Sequence, residues 1–393
     1  MPFVPWERRA FVTDSAGFGV STSTGINPNV MEIDLGAIAE NFREVQRRLA
    51  ASRRTIGVIK ADAYGHGAVE VARTLSALGV DFLASGSLKE CIALRRAGIS
   101  TPIILLGSLI AEAIHDAIRH GAIPSVDSIA IADALSRATA TQMSVFIKVD
   151  CGFGRFGIPI DQAAAFTEYV SRLPRLNIEG IYTHLPFSDE EGLTWAERQT
   201  RVFDRLIAEL GLRGLRVPIT QSQASPGFSV GLVDNGTAIA LGHLLYGLSP
   251  VNAELAKAGN AFTLRSGLRS IGAKLIHVGG LPKGAVPAPY LRGHHGRLGV
   301  VSIGIQHGYR PTSDAAHMVI RGSEAPLLRV CLENTIVDLS RVAEGQVGDM
   351  VTVVGTNGRI SITLQDLAKW QATSQLALLS AFGRSLRRTY IAA

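Results

Sequence analysis

The segment VIKADAYGHG, Val58–Gly67, ends an apolar run on a lysine and follows it with Asp62, Tyr64, His66 and two glycines. A lysine held among apolar neighbours loses charge to desolvation, and a neutral amine attacks carbonyl carbon to form a Schiff base. Taken alone, Lys60 reads first as a surface lysine whose apolar stem is covered and whose ammonium reaches water. Other expected strands also end on polar groups. Lys148 and Asp150 close the apolar run SVFIKVD, His184 closes IEGIYTH and Ser225 closes ITQSQAS. No CxxC or HExxH spacing occurs, so a metal site has little support.

These residues need a frame that brings strand ends together. Short apolar strands are expected at 55–60, 81–86, 103–107, 123–126, 144–150, 178–184, 219–225 and 244–248, with helical patterns between most of them. In SLKECIALRRAGI, Ser87 and Glu90 have capping-box spacing and Gly98 stands at the stop. Earlier, Asp34 is a candidate N-cap, and Ile38, Phe42, Val45 and Leu49 fall on one helical face. Strands that are apolar throughout are buried on both faces, hence parallel, and eight of them close a barrel. The expected fold is therefore α/β: a (β/α)8 barrel, with chemistry at the carboxyl ends of its strands. A doubly wound sheet competes, but no GxGxxG follows the first strand.

From about residue 263 the texture turns β-rich, as in SIGAKLIHV, RLGVVSIGI and LLRVCLENTIVDL. The expected division is an N-terminal extension over 1–28, a barrel over 29–262 and a mostly β domain over 263–393, with the strand at 29–35 joining the β domain. The 393 residues carry a net charge of +6 without any run of five or six like charges. That balance suits an anionic small ligand better than nucleic acid. Three scattered cysteines fit a reducing compartment. The first residues lack the apolar core of a signal peptide, and no run reaches the ~18 residues of a membrane span. A cytoplasmic protein is expected.

VIKADAYGHG resembles the cofactor-lysine motif of the alanine racemase family, the fold-type III pyridoxal-phosphate enzymes. EIDLGAIAENF, KVDCGFGRFG, IEGIYTHLPFSDEE, LYGLSP, RLGVVSIGIQHGY and VCLENTIVDL resemble further segments of that family, from about residue 30 onward. The resemblance implies a pyridoxal 5'-phosphate barrel with an alanine racemase-like C-terminal β domain. Lys60 would hold the cofactor as an aldimine and exchange the α-proton on one face. Tyr64 would donate to the cofactor phosphate, with Ser225 and the backbones of Gly242 and His243. His184 would pack against the pyridine ring. Lys148, often carbamylated in the family, would position Arg155 toward the substrate. Because family sites are shared between subunits, a homodimer is implied.

The chain also departs from the pattern. The family arginine that hydrogen-bonds the pyridine nitrogen is Ala240 here. The second proton-transfer group, a tyrosine eleven residues before Arg297, aligns with Val286; with a loop deletion Tyr290 takes that place, His294 and His295 being weaker stand-ins. The family's methionine and aspartate are Leu332 and Glu333, a tyrosine lining the substrate's path is Ile305, and a late phosphate-side tyrosine is Gln375. The implied function is racemisation of alanine through Lys60 and Tyr290. Alternatives are racemisation of another amino acid, an aldolase, lyase or decarboxylase reaction with the same cofactor, or cofactor binding without catalysis.

Overall fold

A computed structural model describes residues 28–258, 262–294 and 296–391. Eight parallel strands build the first unit: Arg54–Val58, Phe82–Ser85, Ile103–Ser108, Ala122–Val126, Met143–Asp150, Leu176–Tyr182, Ile219–Gln221 and Ala238–Leu241. The last pairs with the first, and a single bridge between Ala224 and Ala240 joins it to the segment after the seventh. The sheet thus closes into the expected barrel.

The eighth strand lies at Ala238–Leu241, not at the expected 244–248. Residues His243–Tyr246 instead form a tight 3-10 turn ending at Gly247, whose φ of 70° breaks any strand. The reason is packing. AIAL alternates small residues toward the crowded interior with Ile239 and Leu241 toward the surrounding helices, whereas the more apolar LLY is buried outside the strands. There Asn41 donates to the Leu245 carbonyl at 3.1 Å and the Tyr246 hydroxyl to that of Val58 at 2.9 Å.

Inside the barrel, Ile56, Val58, Phe82, Phe146, Tyr182 and Ile219 belong to a core of their own. Two residues beyond Val58, Phe146 and Tyr182 come Lys60, Lys148 and His184, so strand periodicity carries all three to the carboxyl rim.

The second sheet has nine strands and is antiparallel except for one pair. That pair is Val30–Asp34 beside Arg387–Ile391, so strands from near both ends of the chain lie together here. Asp34 caps the helix Leu35–Arg48 by accepting from the Ala37 amide at 2.8 Å. No helix among the described residues is long and apolar enough to cross a membrane.

Candidate active site

The polar segment behind Lys60 is a short turn of left-handed helix. Ala61, Asp62, Ala63 and Tyr64 all have φ between 52 and 55°, a region that costs an L-residue roughly 1–2 kcal/mol. Neighbours hold it there. The Asp62 amide donates to Glu90 at 2.8 Å, and the Asp62 carboxylate accepts from the Ala68 amide at 2.7 Å and from Arg388. Arg388 also donates to the Gly65 carbonyl at 3.1 Å. Gly65, with φ of 85°, backs onto the helix Gln375–Ser385 so closely that a Cβ would lie 2.0 Å from the Leu379 carbonyl oxygen. The turn projects Lys60 at one end and Tyr64 at the other.

Around Lys60 the rim is cationic. Burial, and then the charge of Arg155, lower the Lys60 pKa from its ordinary value. Burial likewise lowers Lys148 to about 8, against the pull of Cys151 and Asp150. Its Nζ donates to the Val149 carbonyl at 3.0 Å and lies 4.8 Å from the centre of the Tyr182 ring. Arg155 lies over the rings of Phe153 and Phe156, at 4.8 and 4.7 Å. Burial and the three cations together push His184 down to about 3, so its imidazole is neutral at any working pH. Burial and then Lys60 lower His243 as well.

The nearby carboxylates are committed elsewhere. Asp150 accepts four loop amides, those of Gly152, Phe153, Gly154 and Arg155, at 2.8 to 3.2 Å. Burial works against its charge, but these four donors hold its pKa below the ordinary range. Lys60, Lys148 and Arg155 form no ion pair among the described residues. A cup with three unneutralised cations is built to receive an anion.

A second corner gathers hydrogen-bond donors. The buried Ser225 hydroxyl receives the amides of Gly242 at 2.9 Å and Leu244 at 3.5 Å. Tyr64 presses on Gly242: a Cβ there would meet its hydroxyl at 2.9 Å, so glycine is what lets this tyrosine approach the backbone. Burial raises the Tyr64 pKa to about 12, which keeps the hydroxyl a donor. With its oxygen accepting these amides, Ser225 keeps its own proton to donate, and two hydroxyl donors, Ser225 and Tyr64, beside a short helical turn suit a phosphate. The residues present fit pyridoxal phosphate: an amine of lowered pKa, a neutral flat ring in His184, and this donor corner.

The remaining expected residues lie in turns and loops around the second sheet and at the start of the helix Gln375–Ser385. Tyr290 sits in the turn Pro289–Leu291, 38% exposed, with the Arg329 guanidinium 5.2 Å from its ring centre. Ile305 and Leu332 are exposed on two loops joined through the Ile305 amide to Cys331 and the Gln306 amide to Leu332, and Glu333 accepts from the Gln306 side chain at 3.4 Å. Val286 is 93% exposed, His294 faces Asp338 at 3.9 Å, and His295 lies outside the described residues. Gln375 opens the helix that backs the left-handed turn.

Two working groups escaped the sequence reading. Glu90 fits a capping box, yet its carboxylate takes the Asp62 amide and the Ser85 hydroxyl; only the Ser87 half of the cap forms, to the Glu90 amide at 3.3 Å. Arg388, 326 residues from Asp62, offers no local signal at all.

Two family models match the chain: "Alanine racemase, N-terminal domain" over residues 33–250 and "Alanine racemase, C-terminal domain" over 285–390. The alanine racemase of Thermodesulfovibrio yellowstonii is 32% identical over 373 residues, 92% of this chain and 97% of the relative. An alanine racemase structure from Clostridium difficile 630 superposes with a TM-score of 0.84 at 26% identity, covering 93% of this chain and 96% of that one. One from Bacillus anthracis, determined with bound L-Ala-P, gives 0.84 at 25% identity, covering 94% and 96%.

Proposed function

The chain belongs to the alanine racemase family, and from that premise we propose that it interconverts L- and D-alanine with pyridoxal 5'-phosphate as its cofactor. The observation that carries the reading is the lysine of lowered pKa standing among unneutralised cations at the barrel rim. What bound pyridoxal phosphate supplies is electron withdrawal from the α-carbon of an amino acid joined at its aldehyde carbon.

Everything else falls to side chains. Lys60 would bind the cofactor covalently and, once released by the incoming amine, take or return the α-proton on its own face. Ser225, the His243 amide and the Tyr64 hydroxyl would hold the phosphate, the expected Gly242 amide being committed to orienting Ser225. His184, neutral, would lie against the ring without competing for the proton in transit. Arg155 and Lys148 would draw in the substrate carboxylate. The opposite face needs its own acid/base. Tyr290 would supply it from the second subunit of a homodimer, whose Ile305, Leu332 and Glu333 would border the substrate. The L-Ala-P bound to the Bacillus anthracis relative is in keeping with an alanine-sized substrate. Three free cysteines, two of them buried, suit a cytoplasmic location.

The cofactor-loaded protein in deuterated water should convert L-alanine to D-alanine carrying deuterium at Cα. Release of carbon dioxide or an aldehyde, or exchange without inversion, would reject the reading. Ala240 and the altered substrate border favour one second reading, racemisation of a different amino acid. The same assay run across a panel of amino acids separates the two.

A further inference from the structure

Directly beneath the Lys60 rim the barrel keeps a small cavity, lined by Val58, Leu106, Phe146 and Ala240 and by two polar residues, Tyr182 and Gln221. Tyr182 is spent: its hydroxyl is 2.7 Å from the Ser125 hydroxyl and donates to the Leu106 carbonyl at 3.3 Å. Gln221 is 3% exposed, and its Nε2 donates to the Gln223 carbonyl at 3.0 Å. A backbone carbonyl can only accept, so this bond fixes which end of the carboxamide is nitrogen. The other end of the carboxamide, Oε1, is an acceptor with no protein partner among the described residues. The same Gln223 carbonyl accepts the Ala240 amide at 3.1 Å, which sets Gln221 beside the methyl group that stands where the family places a cation.

We propose that Gln221 is the partner of the coenzyme's ring nitrogen in this chain, and that it holds that nitrogen protonated. This rests on the pyridoxal phosphate reading above. Complementarity in a mostly apolar lining sets the protonation state. An unprotonated ring nitrogen would oppose Oε1 lone pair to lone pair, whereas a protonated one donates to it. An arginine at position 240 would act in the opposite sense, since it can only donate. A protonated ring withdraws electrons from the substrate's α-carbon more strongly. The site therefore depends less on its surroundings to acidify the α-proton.

The test uses the holoenzyme loaded with coenzyme carrying nitrogen-15 in the ring, read by solid-state nitrogen NMR. Wild type should give a pyridinium resonance, well upfield of unprotonated pyridine. Gln221→Leu and Ala240→Arg should each move it to the unprotonated position while the visible band of the lysine-linked coenzyme persists. Gln221→Glu, an acceptor of similar shape, should keep the pyridinium signal. An unprotonated wild-type resonance, or a pyridinium signal indifferent to Gln221→Leu, overturns the proposal while leaving the coenzyme reading intact. A wild-type protein without the lysine-linked band overturns both.

Discussion

Arg388 Nη1 donates both to the Asp62 carboxylate and, at 3.1 Å, to the Gly65 carbonyl oxygen. One guanidinium from the last described strand thereby grips two points of the left-handed turn that starts at the candidate cofactor lysine. The side chain is only 17% exposed, so the grip is poorly replaced by water.

Arg388→Met should cost about 2 kcal/mol in a urea titration, the scale of hydrogen bonds to a charged group. It should also weaken coenzyme retention on dialysis, because relaxation of the turn moves Lys60. Stability and retention both equal to wild type would show that the turn holds itself.

Gly242→Ala places a Cβ against the Tyr64 hydroxyl, at 2.9 Å. Affinity for pyridoxal phosphate should fall roughly tenfold or more, the equivalent of about 1.4 kcal/mol, while affinity for pyridoxal without its phosphate stays unchanged. An equal loss for both would place the phosphate elsewhere.

Lys148 gives a pH dependence whose sign is fixed. Its ordinary pKa of 10.5 falls to about 8 on burial. Between those values the unfolded chain binds more protons, so the cost of burying the cation is full below pH 8 and fades toward pH 10.5. It is on the order of 3 kcal/mol. In buffer free of carbon dioxide, Lys148→Met should be more stable than wild type at pH 7, by a margin that closes as pH rises. A variant less stable at pH 7, or a constant margin, refutes the assignment.

The proposal that two subunits share the site predicts complementation. Lys60→Ala and Tyr290→Phe should each lower racemase activity by about a hundredfold or more. Mixed in equal amounts and reassembled, they should recover about one quarter of wild-type sites, since half the dimers are mixed and each carries one intact site. No recovery would mean that Tyr290 serves its own barrel or none.

The barrel was legible because most of its strands carry apolar runs and three of them lead into polar rim residues: Val58 to Lys60, Phe146 to Lys148, Tyr182 to His184. The eighth strand was not, because AIAL is short and half alanine while the neighbouring LLYGL has the stronger apolar signal and is buried for another reason. Spacing suggested a capping role for Glu90, but the carboxylate takes a tertiary partner, the Asp62 amide, that no local pattern encodes. Gln221 was passed over for a similar reason. On paper it is a glutamine near a strand end, and only the geometry of the Gln223 carbonyl shows which of its amide atoms is free.

The most direct measurement is borohydride reduction of the coenzyme-loaded protein followed by peptide mapping. The account predicts a single reduced coenzyme adduct on Lys60, within the peptide that contains VIKADAYGHG, and no adduct in Lys60→Ala. An adduct on Lys148 or any other lysine, or none in the wild-type protein, would contradict it.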